Sequence, residues 1–291
     1  MLMQGNSLNL ADNSERKKPM PSPEELLAAR YGQPATWTPP QWNETLDVIH
    51  QHRSVRRWLD KPVDDDTIRT IISAAQSAGT SSNKQVISVI VVKDTELRKG
   101  LAEITRQMFP HLEQVPAVLI WLIDYSRISA VAAREDLPTG ALDYLDEAAL
   151  GFLDAGIAAQ NAAIAAESLG LGTLYLGSVR NDAEAVQKLL GLPPEIVPVV
   201  GLEIGHADPS EPAGIKPRLP QEAIVHWDTY TEKNLELIDS YDRALDTYYS
   251  RYGQHQLWSK QTAHRAASKS ITKTNRQFLR RVLERAGFGL R

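Results

Sequence analysis

Between His50 and Val63 the stretch HQHRSVRRWLDKPV sets two histidines, a serine and four Lys/Arg side chains ahead of an apolar turn. Donors at this density suit an oxyanion, and the planar guanidinium fork suits phosphate oxygens best. A second basic cluster, IKPRLP, carries Lys216 and Arg218. A hydroxyl-rich stretch begins at Thr80 (TSSNKQ), and YLGSVR from Tyr175 holds a lone glycine among larger residues. Taken alone, each of these also fits a solvated turn.

Other chemistries lack their residues. The 291-residue chain has no cysteine, which removes disulfides, thiol nucleophiles, iron–sulfur clusters and thiolate-bound zinc. It contains no GxSxG, no HExxH and no P-loop, and GLGTLYLGSVRN lacks the spacing of GxGxxG. His50 and His52 fall at a helix end with no third metal ligand in view, where a histidine beside carbonyls is the simpler reading. Acid pairs such as Glu135/Asp136 and Asp143/Asp146 read as solvated faces. No set of acids, bases and nucleophiles suffices by itself, so the reactive group is expected to be a cofactor. A formal charge of −4 and a pI near 6.0 argue against a general nucleic-acid or membrane-surface binder.

These residues need elements to position them. Residues 1–42 are polar and proline-rich and read as a poorly ordered extension with one short helix, PEELLAARY. Residues 43–291 read as the functional body. NETLDVIHQH, capped by Asn43, and VDDDTIRTIISAAQSAG, with Ile68, Ile71, Ile72 and Ala75 on one stripe, are amphipathic helices. Apolar runs at 86–92, 117–123 and 197–205 and a shorter one from Thr173 read as strands. The stretch from Leu145 to Gly172 is apolar or small almost all round, so it belongs in the centre or in a subunit interface. The C-terminal region is helical, with Phe278, Leu279, Val282, Leu283 and Ala286 facing inward. No segment reads as a membrane span and no signal peptide is seen. Alternation of strands and helices on its own suggests a parallel, doubly wound sheet.

HRSVRRWLDKPV, TSSNKQVISVIVVKD, GIAAQNAAIAAESLGLGTLYLGSVRND and IKPRLP occur in an order and spacing that resembles the flavin-dependent nitroreductase superfamily, in its nitroreductase A and NADPH–flavin oxidoreductase group. The resemblance runs from about Asn43 to the C-terminus. It implies an α+β fold with a central, mainly antiparallel sheet wrapped by helices, a C-terminal helical excursion and an intertwined homodimer. That expectation replaces the parallel one.

The resemblance further implies FMN as cofactor. His52, Arg53 and Ser54 would lie at its phosphate with Lys216 and Arg218, and Arg56 at the pyrimidine edge of the ring. Thr80, Ser81 and Ser82 would supply hydroxyls, partly from the partner subunit, and Gln107 would stand at the ring. The backbone of Tyr175, Leu176, Gly177 and Ser178 would approach flavin N5, although Ser178 replaces a glycine of the family pattern. No protein side chain is then catalytic: NADPH or NADH delivers hydride at N5 and a nitroaromatic, quinone or free flavin collects it in a ping-pong cycle. Basic residues after a tyrosine pair read the NADPH 2′-phosphate in such proteins. Here Tyr248–Tyr249 is followed by Arg251 and nothing further charged, apart from His255, until Lys260, so a modest NADPH preference is expected. A cytoplasmic location is expected. The competing reading is a flavin-binding sensor or carrier without turnover.

Overall fold

The computed structural model describes residues 20–106, 110–232, 235–267 and 271–291. Its centre is a four-stranded sheet of β1 (Ile87–Val92), β2 (Ala117–Ile123), β3 (Gly172–Leu176) and β4 (Val197–Gly205), in the order β1-β2-β4-β3. Every pairing is antiparallel. The parallel arrangement suggested by alternation alone is thus incorrect: periodicity reports which side chains are buried, not which way the neighbouring strand runs.

All seven residues of β2 are buried, because helices cover both faces of the sheet. Leu119, Trp121 and Ile123 point to one side, where α3 (Asp65–Gln76) and α7 (Leu145–Ser168) pack. Val118, Ile120 and Leu122 point to the other, toward α4 (Thr95–Thr105), α5 (His111–Gln114) and α8 (Ala183–Leu189). This period of two is the signature of a strand buried on both sides. Small residues bring α7 close: a Cβ on Gly151 would stand 2.8 Å from an Ile123 methyl.

Helix α7 is 24 residues long and apolar enough to cross a membrane by length and composition, a feature the sequence reading did not credit. Its alanine face (Ala155, Ala158, Ala159, Ala162, Ala163 and Ala166) is buried in the core. Leu145 and Leu153 on its other side are more than half exposed.

Helix α1 (Pro23–Tyr31) opens with a reciprocal capping box between Ser22 and Glu25 and buries Leu26 and Leu27. Helix α2 (Glu44–Gln51) is capped by the Asn43 side chain, which accepts from the Leu46 amide. Helix α6 (Ser126–Arg134) follows β2, and α9 (Glu236–Ser250), α10 (Trp258–Ala266) and α11 (Leu279–Arg285) form the helical C-terminal region. Val282 and Leu283 of α11 are buried, but Phe278 is 40% exposed, with the Arg281 guanidinium over its ring, so its expected inward face is not found. The chain end is tied down: Phe288 meets Tyr125 edge-on, and the Gly289 amide donates to the Leu142 carbonyl at 2.9 Å.

Candidate functional site

The chain leaves α2 at His52 and runs alongside β3. Ser54 forms a parallel bridge with Thr173, and the Val55 amide donates to the Thr173 carbonyl at 3.0 Å. Val55 and Trp58 plug this segment into the core, while Arg53 and Arg56 stay exposed. Further along, the amides of Arg56 and Arg57 both donate to the Glu211 carboxylate, at 2.9 and 3.1 Å. A backbone held at so many points presents its side chains in a fixed order. His52 is oriented as well. Its Nδ1 lies 2.6 Å from Glu167 near the end of α7, and the Thr173 hydroxyl donates to the same carboxylate oxygen. Nδ1 is thereby committed, which leaves Nε2 as the nitrogen free to bind.

The second basic cluster is held by tyrosines. From α9 and its C-terminal turn, Tyr252 donates to the Pro212 carbonyl, Tyr248 to Gly214 and Tyr241 to Pro217. Lys216 donates to the Tyr249 hydroxyl at 2.7 Å, its ammonium lying 5.0 Å from the centre of that ring. Four hydroxyls therefore fix the loop carrying Lys216 and Arg218. Burial pushes the Tyr248 phenol well above its ordinary range, so it stays a neutral donor.

Arg30 of α1 joins the two clusters. Its Nη1 donates to the Lys216 carbonyl at 3.0 Å, and its Nη2 to the carbonyls of His50 and His52 at 3.0 and 3.1 Å. The motifs at 52–56 and 216–218, far apart in sequence, thus meet in space. Among the described residues, Arg53, Arg56, Lys216 and Arg218 form no ion pair with a carboxylate. A cluster of cations without protein counterions is chemically incomplete, and an anion completes it.

The chain matches the Nitroreductase family over residues 49–206 and that family's C-terminal domain over residues 216–291. The chain belongs to the nitroreductase family. It is 38% identical over 253 residues to the FMN reductase [NAD(P)H] of Bacillus subtilis, covering 84% of this chain and 98% of that one. It is 37% identical over 231 residues to the NADPH-flavin oxidoreductase of Vibrio harveyi, covering 78% and 93%. The solved structure of B. megaterium NfrA2 superposes with a TM-score of 0.80 at 36% identity, covering 86% of this chain and all of that one.

In this nitroreductase the segment from Tyr175 leads out of β3 into a short 3-10 turn (Gly177–Asp182). Leu176 is buried, so only its backbone can face a ligand. The Tyr175 hydroxyl donates to Gln160 of α7 at 3.2 Å. A Cβ on Gly177 would meet only the guanidinium ends of Arg180 and Arg276, at 3.5 and 4.0 Å, so the protein's own packing does not require a glycine there. A bound group lying against that backbone would.

The hydroxyl loop stands elsewhere. Ser81 donates its amide and its hydroxyl to Asp154, at 3.2 and 3.1 Å, and Ser82 adopts a left-handed φ of 50°. Thr80 lines a separate cavity of about 420 Å³ beside β1, with Gln76, Arg127 and Trp121. Asp154 and Glu167 are thirteen residues apart on α7, roughly 20 Å along its axis. A single subunit therefore does not bring Thr80–Ser82 to His52. Gln107 lies outside the described residues.

Two side chains of this nitroreductase's site went unnoticed in the sequence. Arg30 sits in the stretch read as an extension. Arg276, from the C-terminal region, donates to the Gly177 carbonyl at 2.8 Å and to Asn181. Both act on backbone carbonyls, which every residue type provides, so no motif marks them. Glu203 is a third omission. Fully buried on β4, it accepts from the Trp58 indole at 3.1 Å and pairs with His111 at 2.6 Å, anchoring the far end of the basic motif. Burial pushes its carboxyl upward, against the hydrogen bonds from His111 and Trp58.

Proposed function

We propose that this chain is an FMN-dependent NAD(P)H oxidoreductase that passes electrons to small acceptors such as nitroaromatics, quinones or free flavin. The reading is carried by the meeting of His52–Ser54 with Lys216–Arg218 in a cation cluster that lacks carboxylate partners. It is supported by relatives described as an FMN reductase and an NADPH-flavin oxidoreductase.

The residues present suit FMN. A phosphate close to a dianion needs several charge-assisted donors. His52 Nε2, the Ser54 hydroxyl, Arg53, Lys216 and Arg218 would provide them. Arg56 would place a fixed positive charge at the pyrimidine edge, where the reduced ring carries negative charge. The Gly177 backbone would let the ring approach closely. When bound, FMN supplies the hydride chemistry that these side chains cannot perform. The protein's part is to hold, orient and exclude water.

The donor would place its adenosine end by Arg251, which lines a cleft of about 340 Å³ with Ala28, Ile215 and Tyr248. We read the working unit as a cytoplasmic homodimer. The hydroxyl loop lies too far along α7 to serve its own subunit's cations, and Leu145, Leu153 and Ile157 leave an apolar face on that helix. Thr80, Ser81 and Ser82 would then serve the partner's flavin.

The test is the pigment. About one FMN per chain should be released by acid and identified by chromatography, from one site per fold unit. NADPH under argon should bleach it, and a quinone should restore the colour. FAD, haem, or no flavin uptake after reconstitution would overturn the cofactor reading. Bleaching without recovery would overturn turnover.

A further inference from the structure

We propose that Arg30 is a positioning residue of the cofactor site, so that helix α1 is part of that site; this rests on the FMN reading above. Residue 30 is bonded to the basic loop at both ends. Its guanidinium donates to the Lys216 carbonyl, and its own carbonyl accepts from the Arg218 amide at 2.7 Å. The same guanidinium reaches back to the carbonyls of His50 and His52.

Those carbonyls matter because they belong to the last turn and cap of α2. A helix C-terminus carries partial negative charge, and its final carbonyls have no partner within the helix. Anions are favoured at the opposite end. A phosphate beside His52 would therefore face repulsion from α2 unless a cation occupied these oxygens. Arg30 occupies two of them. It makes no bond to a carboxylate, and it stands near a second cation, Arg218, with Glu167 as the opposing charge nearby. An anion between the two arginines relieves that repulsion.

The helix that delivers Arg30 cannot easily slide. Its N-terminus is fixed by the capping box, and Leu26 and Leu27 are 1% and 2% exposed. At its C-cap, Gly32 has a φ of 72°, and a Cβ there would stand 2.3 Å from the Ala244 side chain of α9. Tyr31, the next residue, accepts from Gln221 at 3.0 Å. Arg30 thus links α1, the end of α2 and the loop pinned by α9 into one frame around the proposed phosphate position.

The test compares FMN with riboflavin, which has the same ring and no phosphate. Apo-protein of the wild type, Arg30→Gln and Arg30→Lys is titrated with each flavin by fluorescence quenching. Arg30→Gln should weaken FMN binding by about tenfold or more, the loss of one charge-assisted contact, while riboflavin affinity stays as in the wild type. Arg30→Lys should fall between them, because an ammonium keeps the charge but cannot bridge three carbonyls. If Arg30→Gln does not fold, Arg30→Lys carries the same comparison. Unchanged FMN affinity, or equal losses for both flavins, would overturn the role of Arg30 and leave the cofactor reading standing. A wild type that takes no FMN would overturn both.

Discussion

Asp154 and Glu167 lie on one helix, roughly 20 Å apart along its axis, and each holds a different piece of the proposed flavin site. Asp154 accepts from Ser81 and so sets the hydroxyl loop, while Glu167 orients His52. The spacing on α7 separates two groups that the same cofactor would need, and a second subunit reunites them.

The first expected outcome concerns that second subunit. Leu153 is 59% exposed on α7, beside the buried Asp154, and Ile157 lies one turn further on. Leu153→Asp would place a charge in an apolar contact and should shift the protein to a monomer by light scattering. FMN content should fall with it, because the partner's Thr80–Ser82 loop is removed. A variant that remains dimeric with full FMN places the interface elsewhere.

Arg56→Ala and Arg218→Ala should fail in different ways. Arg218 belongs to the phosphate cluster, so its loss should mainly raise the FMN dissociation constant. Arg56 stands apart from that cluster, with Nη1 on the Ser54 carbonyl at 3.3 Å. Its loss should lower the flavin midpoint potential even at full loading. One charge-assisted contact is worth ~1.5–3 kcal/mol, which a redox titration resolves. An unchanged potential in saturated Arg56→Ala removes the role assigned to it.

Donor choice rests on Arg251, at the end of α9. Arg251→Ala should raise KM for NADPH and hardly change it for NADH, since only the former has a 2′-phosphate. Wild-type preference for NADPH should be modest, because a lone arginine follows the tyrosine pair. Equal losses for both donors would show that Arg251 does not read that phosphate.

The pH dependence of stability should reflect Glu147. Burial pushes this carboxyl up, but hydrogen bonds from Lys84 and Tyr125 outweigh it and hold it below the usual range. A depressed carboxyl contributes stability above its unfolded pKa, and that contribution is lost as pH falls through the folded value. Lys84→Met should therefore cost about 1–2 kcal/mol near neutrality, with the gap closing in acid. Urea midpoints at about pH 7 and about pH 3 measure it. A gap of the same size at both would exclude this pair as its source.

Local patterns in the sequence carried the elements far. The strand expected at 117–123 is β2 with the same bounds, and the long small-residue helix is α7. The Asn43 and aspartate caps were visible because capping needs particular side chains at particular offsets. The basic motifs were visible for a similar reason, as charge written in consecutive residues.

By itself, then, the sequence determined which segments are helix or strand and which residues carry the cations, because periodicity and side-chain chemistry are local. Tertiary structure decided the rest. Strand direction depends on how connections pack around β2, and a burial pattern is the same for either direction. The meeting of His52 with Lys216 depends on Arg30 and on four tyrosine hydroxyls, most of them bonded to backbone carbonyls that no residue type announces. Glu203 stands within the apolar run of β4, where only its contacts with Trp58 and His111 show why a carboxyl is there. Such roles come from three-dimensional proximity, which the order of residues does not record.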